Sequence, residues 1–254
     1  MDRAYFRFYD DLTDFLPYAR RGGAFTHEFE GRVSIKDMIE SLGVPHTEVD
    51  LILVNGESVD FTYLVADGDR ISVYPIFETL DITPVSRVRP APLDEYRFVL
   101  DVHLGKLAAY LRLLGFDALL PDDHDDANLA RIARDEGRIL LTRDRGLLKR
   151  SMVTYGYCPR STDSRQQLVE VLRRFDLFGK IDPFQRCLRC NGRLEPVDKD
   201  AVADRLPPRT REHYDEFRQC RSCGQVYWQG AHYERLRRFV EEARQSANGG
   251  GPPT

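Results

Sequence analysis

The 254-residue sequence has little of what membrane and secreted proteins need. No apolar run approaches the ~20 residues that cross a bilayer, so no membrane-spanning helix is expected. The first ten residues alternate apolar with charged side chains, and no basic segment followed by an apolar one marks a secretory signal. The five cysteines are too few and too unevenly placed for a disulfide framework. Together these absences predict a cytoplasmic protein.

Charge is distributed unevenly along the chain, whose formal net charge is -4. Residues 1–86 carry 7 basic and 16 acidic side chains, whereas residues 87–180 are net +3 and residues 181–254 are net +2. An acidic front on a mildly basic remainder indicates segments with separate roles. We expect the acidic N-terminal segment to bind a protein partner and the basic remainder to bind a polyanion. The hydrophobic fraction of 42% is enough for packed cores.

Residues 1–82 read as strands around one helix. Period-two alternation and apolar runs predict strands at Tyr5–Phe8, Phe25–Phe29, Leu51–Val54 and Arg70–Tyr74. Between them, Ser34 as N-cap and Gly43 as stop bound a run with helical spacing. This order resembles a ubiquitin-like β-grasp of the sulfur-carrier type. Sulfur carriers end in a free Gly-Gly, which is missing here, so we expect an adaptor, an intramolecular partner or a packing module.

The middle of the chain alternates strands with helices. Residues 83–95 contain several prolines and read as a linker, and serial strand–helix units over residues 96–180 predict a parallel sheet with helices on both faces. Ligands of such a sheet gather at the carboxyl ends of its strands. Asp101 and Asp144 each follow an apolar strand, and Asp126 begins a helix after a third.

Three carboxylates that converge repel one another unless a cation compensates them, and hard oxygen ligands suit Mg²⁺ or Mn²⁺. A metal bound in this way can activate water for phosphodiester hydrolysis. The alternative interpretation is local: Asp126 is only a helix cap, and Asp101 and Asp144 only serve turns.

Further polar side chains lie close to these acids in sequence. Asp125 or Asp163 would complete the acidic site, although Asp163 also suits a helix cap. We expect Asp122 and Asp123 to be solvated and His124 to be an exposed loop histidine.

Basic side chains flank the predicted acidic site and fit an RNA substrate. Arg143 and Arg145 stand on either side of Asp144, and Lys106 and Arg112 lie on the first helix of the segment. Such cations hold phosphates without reading base sequence. The alternative is that charged helix faces serve solubility.

Residues 181–245 contain two CxxC pairs, which are Cys187 with Cys190 and Cys220 with Cys223. Each pair lets two thiolates reach one ion from a tight turn, and four sulfurs complete a tetrahedral Zn²⁺ site. A redox dithiol is the alternative, although it needs one pair only. The 29 residues between the pairs predict an inserted helix or loop around residues 204–217. Arginines with Tyr227 and Trp228 suggest an RNA-holding surface on this ribbon.

Several strings in the middle of the chain together carry a family resemblance. They are Phe98-Val-Leu-Asp101, the helix from Leu104 to Asp117, the helix start at Asp125-Asp126 and, above all, Gly137-Arg-Ile-Leu-Leu-Thr-Arg-Asp144. They resemble the Mut-seven C-terminal family of PIN-like ribonucleases, over roughly residues 96–245. The front segment looks like the ubiquitin-like domain often fused ahead of it.

The resemblance implies metal-dependent RNA cleavage, with Asp101, Asp126 and Asp144 at the PIN acidic positions. The sequence departs from the family pattern at Arg145, where a fourth acid is frequent, and at His103, where relatives tend to have an acid or another polar residue.

The sequence thus predicts a multidomain protein of mixed α+β and α/β class. Its predicted parts are a ubiquitin-like β-grasp (1–82), a linker (83–95), a PIN-like nuclease domain (96–180), a zinc ribbon with a terminal helix (181–245) and a disordered tail (246–254). Cys158 is expected to be a buried packing residue. The predicted function is a metal-dependent ribonuclease, and the alternative is a non-catalytic RNA-binding or adaptor protein that uses the ribbon and the basic residues.

Overall fold

The structure is a computed structural model that describes residues 1–77, 82–122 and 125–246. The chain divides into two compact units. The first unit joins Met1–Asp94 with Ala130–Cys158, and the second joins Glu95–Leu129 with the chain from Pro159 onward. Within the described residues, no helix is long and apolar enough to cross a membrane. Asp123, His124 and all but the first residue of the predicted tail lie outside the described residues.

The N-terminal part of the first unit is a five-stranded sheet in the order β2-β1-β5-β3-β4. Its strands are β1 (Asp2–Phe8), β2 (Phe25–Phe29), β3 (Leu51–Val54), β4 (Glu57–Ser58) and β5 (Arg70–Tyr74). Strands β1 and β5 run parallel, and the neighbouring pairs run antiparallel. Because β1 and β5 are parallel, the chain between them must cross over from one end of the sheet to the other, and the single α-helix of this segment lies in that connection. The predicted β-grasp arrangement is confirmed.

Helix α1 (Ile35–Ser41) begins and ends where the sequence predicts. The Ser34 hydroxyl accepts a hydrogen bond from the backbone N–H of Asp37 at 3.1 Å, which satisfies one of the free donors of the first turn. Ile35 and Ile39 are fully buried. Gly43 has φ +111°, and a Cβ there would meet the carbonyl oxygen of Phe15 at 3.0 Å, so this stop needs glycine.

The middle of the chain is parallel β-structure with intervening helices, which is the predicted class. In order it contains β6 (Arg97–Leu100), α2 (Gly105–Leu113), β7 (Asp117–Leu119), α3 (Asp126–Asp135), β8 (Ile139–Leu141), α4 (Arg145–Leu148), β9 (Gly156–Tyr157) and α5 (Ser164–Arg174). In the second unit β6 pairs with β7 in parallel, and in the first unit β8 pairs with β9 in parallel.

The first unit crosses the predicted boundary between the ubiquitin-like segment and the nuclease segment. A 3-10 turn over His46–Glu48 supplies polar partners to the chain around β9. The ring Nε2 of His46 lies 2.9 Å from the carbonyl oxygen of Val153, and the backbone N–H of Cys158 donates to the Glu48 carboxylate at 2.6 Å. Residues 130–158 therefore fold with the N-terminal sheet in one unit. Cys158 is 6% exposed, as a packing residue should be.

The C-terminal part of the second unit is an antiparallel sheet with β10 (Leu194–Val197), β11 (Phe217–Cys220) and β12 (Val226–Trp228). Two short helices, α6 (Lys199–Val202) and α7 (Pro208–His213), occupy the interval between the cysteine pairs, which confirms the expected insertion. Helix α8 (Ala231–Gln245) follows the sheet.

Candidate functional site

The first CxxC pair forms a tight turn closed by two backbone hydrogen bonds. The N–H of Asn191 donates to the carbonyl of Cys187 at 2.9 Å, and the N–H of Cys187 donates to the carbonyl of Gly192 at 2.8 Å. Asn191 has φ +69°, a left-handed conformation that asparagine tolerates better than most residues. We call residues 187–192 the first knuckle.

The second CxxC pair repeats this geometry. The N–H of Gly224 donates to the carbonyl of Cys220 at 3.0 Å, and the N–H of Cys220 donates to the carbonyl of Gln225 at 2.9 Å. Gly224 has φ +73° and takes the position that Asn191 takes in the first turn. We call residues 220–225 the second knuckle. Both pairs of thiols are therefore presented by the same local backbone.

The two knuckles bring their four thiols together. The four Sγ atoms of Cys187, Cys190, Cys220 and Cys223 all lie within 4.8 Å of one another. Across the cluster, Cys187 Sγ is 3.6 Å from Cys223 Sγ, and Cys190 Sγ is 3.4 Å from Cys220 Sγ. A tetrahedral site with Zn–S bonds of about 2.3 Å has sulfur–sulfur distances of about 3.8 Å. The donor set and its spacing therefore fit a tetrahedral thiophilic metal.

The protein gives two of these thiols different acidities. Burial raises the pKa of Cys190 to about 12. Burial also opposes ionisation of Cys220, but the backbone N–H groups of Cys223 and Ser222 donate to its sulfur and bring its pKa to about 7. Backbone donors aimed at a sulfur favour the thiolate, which is the form that binds metal.

Tyr227 on β12 contacts the thiol cluster from outside. Its hydroxyl lies 3.1 Å from Cys187 Sγ and accepts a hydrogen bond from the N–H of Leu188 at 3.1 Å. Burial, together with the hydrogen bond to Cys187, raises the pKa of this phenol. The side chain thus stays protonated and orients one sulfur, as outer partners of metal ligands do.

Arg112 on α2 ties the first knuckle to the parallel strands of the second unit. Its Nε donates to the carbonyl of Ala118 at 2.8 Å, and its Nη1 donates to the carbonyls of Leu188 and Arg189 at 3.0 and 3.1 Å. The residue is 4% exposed, and burial lowers its pKa. Arg112, which the sequence predicts to contact RNA phosphate, is instead buried and directs its guanidinium to backbone carbonyls of β7 and of the first knuckle.

Asn191 makes a second tie that sequence reasoning missed. Its side-chain oxygen accepts from the N–H of Ala118 at 3.1 Å, and its amide donates to the Asp117 carboxylate at 2.7 Å. Arg186 pairs with the other oxygen of Asp117 at 3.1 Å and donates to the carbonyl of Asn191 at 3.0 Å. Asparagine directly after a CxxC pair signals the turn, but nothing local signals its partners on β7.

The predicted acids Asp101 and Asp126 both belong to the second unit. Asp101 follows β6, is 8% exposed, and accepts a hydrogen bond from the N–H of His103 at 2.7 Å. Asp126 is the first residue of α3 but does not cap it. Asp125 does, because its carboxylate accepts from the N–H groups of Ala127 and Asn128 at 3.0 and 3.3 Å.

The third predicted acid, Asp144, belongs to the first unit and follows the strand β8 after two residues. Its Oδ1 accepts from the N–H groups of Gly146 and Leu147 at 2.7 and 3.2 Å, so it caps α4. Its side chain is exposed. Asp163 caps α5 in the same way, with Oδ1 at 3.0 Å from the N–H groups of Arg165 and Gln166.

The basic residues near these acids differ in their surroundings. Lys106 and Arg143 are exposed. Arg145 donates from Nη1 to the carbonyl of Phe15 at 3.0 Å, and its guanidinium carbon lies 4.9 Å from the centre of the Phe15 ring. Its guanidinium is thus engaged by the N-terminal segment of the first unit. Asp122 and His103 are exposed, as was expected of Asp122.

Comparisons with known proteins bear on both parts of the chain. The Mut7-C RNAse domain model matches residues 96–240, and the Mut7-C ubiquitin model matches residues 1–81. The human protein "Exonuclease mut-7 homolog" is 32% identical over 162 residues, which are 61% of this chain and 16% of that protein. The chain therefore spans about one sixth of that relative.

Among solved structures, the H. volcanii small archaeal modifier protein 1 aligns with 30% of this chain and 100% of its own, at 16% identity and a TM-score of 0.25. The two family models match residues 1–81 and 96–240, which include the three predicted acids and both knuckles. The resemblance drawn from the sequence strings is thereby confirmed, and the chain belongs to the Mut7-C RNAse domain family, a nuclease family, with a Mut7-C ubiquitin domain in front.

Proposed function

We propose that this protein is a metal-dependent ribonuclease that hydrolyses RNA phosphodiester bonds with a carboxylate-bound Mg²⁺ or Mn²⁺, for which Asp101, Asp126 and Asp144 are the candidate ligands. The observation that carries the proposal is the match of the RNAse domain model to residues 96–240, which contain all three acids. The position of Asp101 supports it, because a carboxylate only 8% exposed just after a parallel strand stands where such sheets bind ligands.

A divalent cation held by these carboxylates would activate water and stabilise charge on the phosphate. The chain's own groups hold and orient the carboxylates. The N–H of His103 fixes one oxygen of Asp101, and the N–H groups of Gly146 and Leu147 fix Oδ1 of Asp144. Lys106 and Arg143 are exposed, and we propose that they contact RNA phosphates, which would make binding dependent on salt.

We further propose that the four thiols hold one structural Zn²⁺. Four sulfurs fill a tetrahedral coordination shell and leave no open position for a substrate. Because the first knuckle is tied to α2 and β7 through Arg112 and Asn191, the metal would stabilise the second unit beyond the ribbon itself.

Cleavage of labelled single-stranded RNA with Mg²⁺ or Mn²⁺ tests the nuclease proposal. Asp101→Asn and Asp144→Asn are expected to abolish cleavage. Asparagine caps helices about as well as aspartate, so Asp144→Asn removes the charge while sparing the cap of α4. Asp60→Asn is the matched control and should retain full activity, because Asp60 is an exposed aspartate outside the predicted acids that also accepts from the N–H two positions on, at 2.8 Å. Undiminished cleavage by both variants would assign the activity to another site.

The second candidate is a non-catalytic RNA-binding protein, and the aromatic and arginine side chains on the ribbon favour it. The same preparation separates the two functions. RNA retained on the zinc-loaded protein without hydrolysis, with either Mg²⁺ or Mn²⁺ present, would support binding alone.

A further inference from the structure

A cavity of about 510 Å³ lies within the second unit, beside the thiol cluster but distinct from it. Its walls come from the segment before the first knuckle, from β11 and β12, and from the start of α8. Aromatic and aliphatic side chains dominate these walls, among them Phe184, Trp228 and Tyr233. A volume of this size is typical of sites that bind small organic groups.

The aromatic walls are fixed in place by the fold. The rings of Phe184 and Tyr233 lie 4.6 Å apart between centroids, tilted by 36°. Trp228 packs against the buried cluster that contains Phe217 and Val226. A Cβ at Gly230 would stand 2.8 Å from the indole Nε1, so this glycine admits the edge of the Trp228 ring. A rigid aromatic surface loses little conformational entropy when it binds a flat ligand.

The cavity wall also offers a cationic group beside the aromatic rings. Arg218 contributes a guanidinium group and Glu216 a carboxylate, whereas the guanidinium of Arg186 is paired with Asp117. Arg218 is held in place because it donates to the carbonyl of Phe184 at 2.7 Å. A ligand with a flat apolar face and an adjoining negative charge matches this combination. An apolar peptide side chain would fill the space but would not use the Arg218 guanidinium.

We propose that this cavity binds an unstacked nucleobase of single-stranded RNA, with Trp228 and Tyr233 offering aromatic faces and Arg218 facing the adjoining phosphate. This inference rests on the proposed function, from which it takes RNA as the substrate class. Base-on-aromatic stacking tolerates any sequence, so the site would hold the strand rather than select it. Tyr227 lines the cavity, and its hydroxyl also contacts Cys187 Sγ, so the proposed base site adjoins the thiol cluster.

Trp228 is the single tryptophan of the chain, so its fluorescence reports on this cavity alone. The experiment uses the full zinc-loaded chain carrying Asp101→Asn and Asp144→Asn, which prevents cleavage. It is titrated with a short oligouridylate and with an abasic oligonucleotide of the same phosphate number. We expect saturable quenching by the oligouridylate and none by the abasic strand. Equal responses to both strands would overturn the proposal, because the binding would then involve phosphate only.

Protein variants provide the second arm of the test. Tyr233→Ala should weaken oligouridylate binding about tenfold, in line with the loss of one stacking partner. Tyr233→Phe keeps the aromatic face and should bind like the parent. Tyr18→Ala is the matched control, since Tyr18 is an exposed tyrosine of the first unit, 90% exposed. Unchanged affinity in a folded Tyr233→Ala protein would contradict the proposal.

The two proposals fail in distinguishable ways. If wild-type protein cleaves RNA but Trp228 fluorescence does not respond, the nuclease stands and the cavity proposal is wrong. If the oligouridylate quenches Trp228 selectively but wild-type protein does not cleave, the cavity proposal stands and the protein is an RNA-binding protein.

Discussion

Aspartate serves several purposes in this chain, and its position relative to a helix separates them. Asp125, Asp144 and Asp163 all use a carboxylate oxygen to hold backbone N–H groups at the start of a helix. Asp101 holds the N–H of a 3-10 turn. Asp126 follows the capping residue of α3 as the first residue of the helix. The sequence could place each acid at an element boundary, but it could not tell which of Asp125 and Asp126 makes the cap.

Arg112 and Lys106, both on α2, should respond in opposite ways to substitution. Arg112→Lys removes the planar donor set that reaches three carbonyls, so we expect the free energy of unfolding to fall by about 3 kcal/mol. Lys106→Ala should leave stability unchanged and weaken RNA binding at low salt. Urea unfolding and RNA affinity, measured on both variants, check this. A stable Arg112→Lys protein with weakened RNA binding would restore the original prediction for Arg112.

Asn191 contributes both its backbone conformation and its side chain, and two substitutions separate the contributions. Asn191→Gly keeps the left-handed backbone but loses the hydrogen bonds to Ala118 and Asp117. Asn191→Ala loses both. We expect the alanine variant to be less stable than the glycine variant by about 1 kcal/mol. Thermal unfolding of the zinc-loaded proteins measures the difference, and equal stabilities would show that φ at this position costs nothing.

At the scale of elements, the sequence predicts the helix and strand boundaries that are set by contacts between neighbouring residues. The bounds of α1 follow from Ser34 and Gly43, which act within one turn of the helix. The residues from Met152 to Tyr157 read as one strand in the sequence, but β9 spans only Gly156–Tyr157. The reason is that the N–H of Val153 donates to the carbonyl of Arg150, and its carbonyl faces His46. Both backbone groups of Val153 therefore have partners outside a neighbouring strand, and the partner of its carbonyl, His46, is 107 positions away in the sequence.

The proposed zinc site leads to a prediction at the scale of elements. Protein prepared without chelator should contain one Zn²⁺ per chain, and Cys223→Ser should lose it. Because metal binding supplies folding free energy in small modules, β10–β12 should then lose their order. Metal analysis and Trp228 fluorescence on β12 report the two effects. Since Arg112 and Asn191 tie the first knuckle to α2 and β7, protection of those elements against hydrogen exchange should fall too. Zinc-free wild-type protein with an ordered ribbon would refute the assignment.

At the scale of the whole molecule, the family models end at residue 81 and begin again at residue 96, but the compact units do not follow that division. The sequence suggests a separable N-terminal module because its charge and strand pattern differ from the rest. It could not show that His46 and Glu48 provide polar partners to Val153 and Cys158, since those contacts join residues more than 100 positions apart.

Removal of residues 1–86 should therefore damage the remaining part of the first unit. Cys158 would lose the acceptor of its N–H, and Arg145 would lose the carbonyl of Phe15. We expect residues 139–158 to exchange amide hydrogens much faster in the truncated protein than in the full chain. Hydrogen exchange read by mass spectrometry tests this, with the ribbon as internal reference. Unchanged protection of residues 139–158 would show that the N-terminal segment is dispensable for folding.

The first unit consists of two separate stretches of the chain, and this has a consequence for its folding during synthesis. The N-terminal sheet is synthesised by Asp94, but Cys158 follows 64 residues later. At 5–20 residues per second this delay is about 3 to 13 s. During that interval Glu48, which is 2% exposed in the finished fold, has yet to meet the N–H of Cys158. For several seconds the turn at His46–Glu48 therefore exists without the backbone donor that the later sequence brings to its carboxylate.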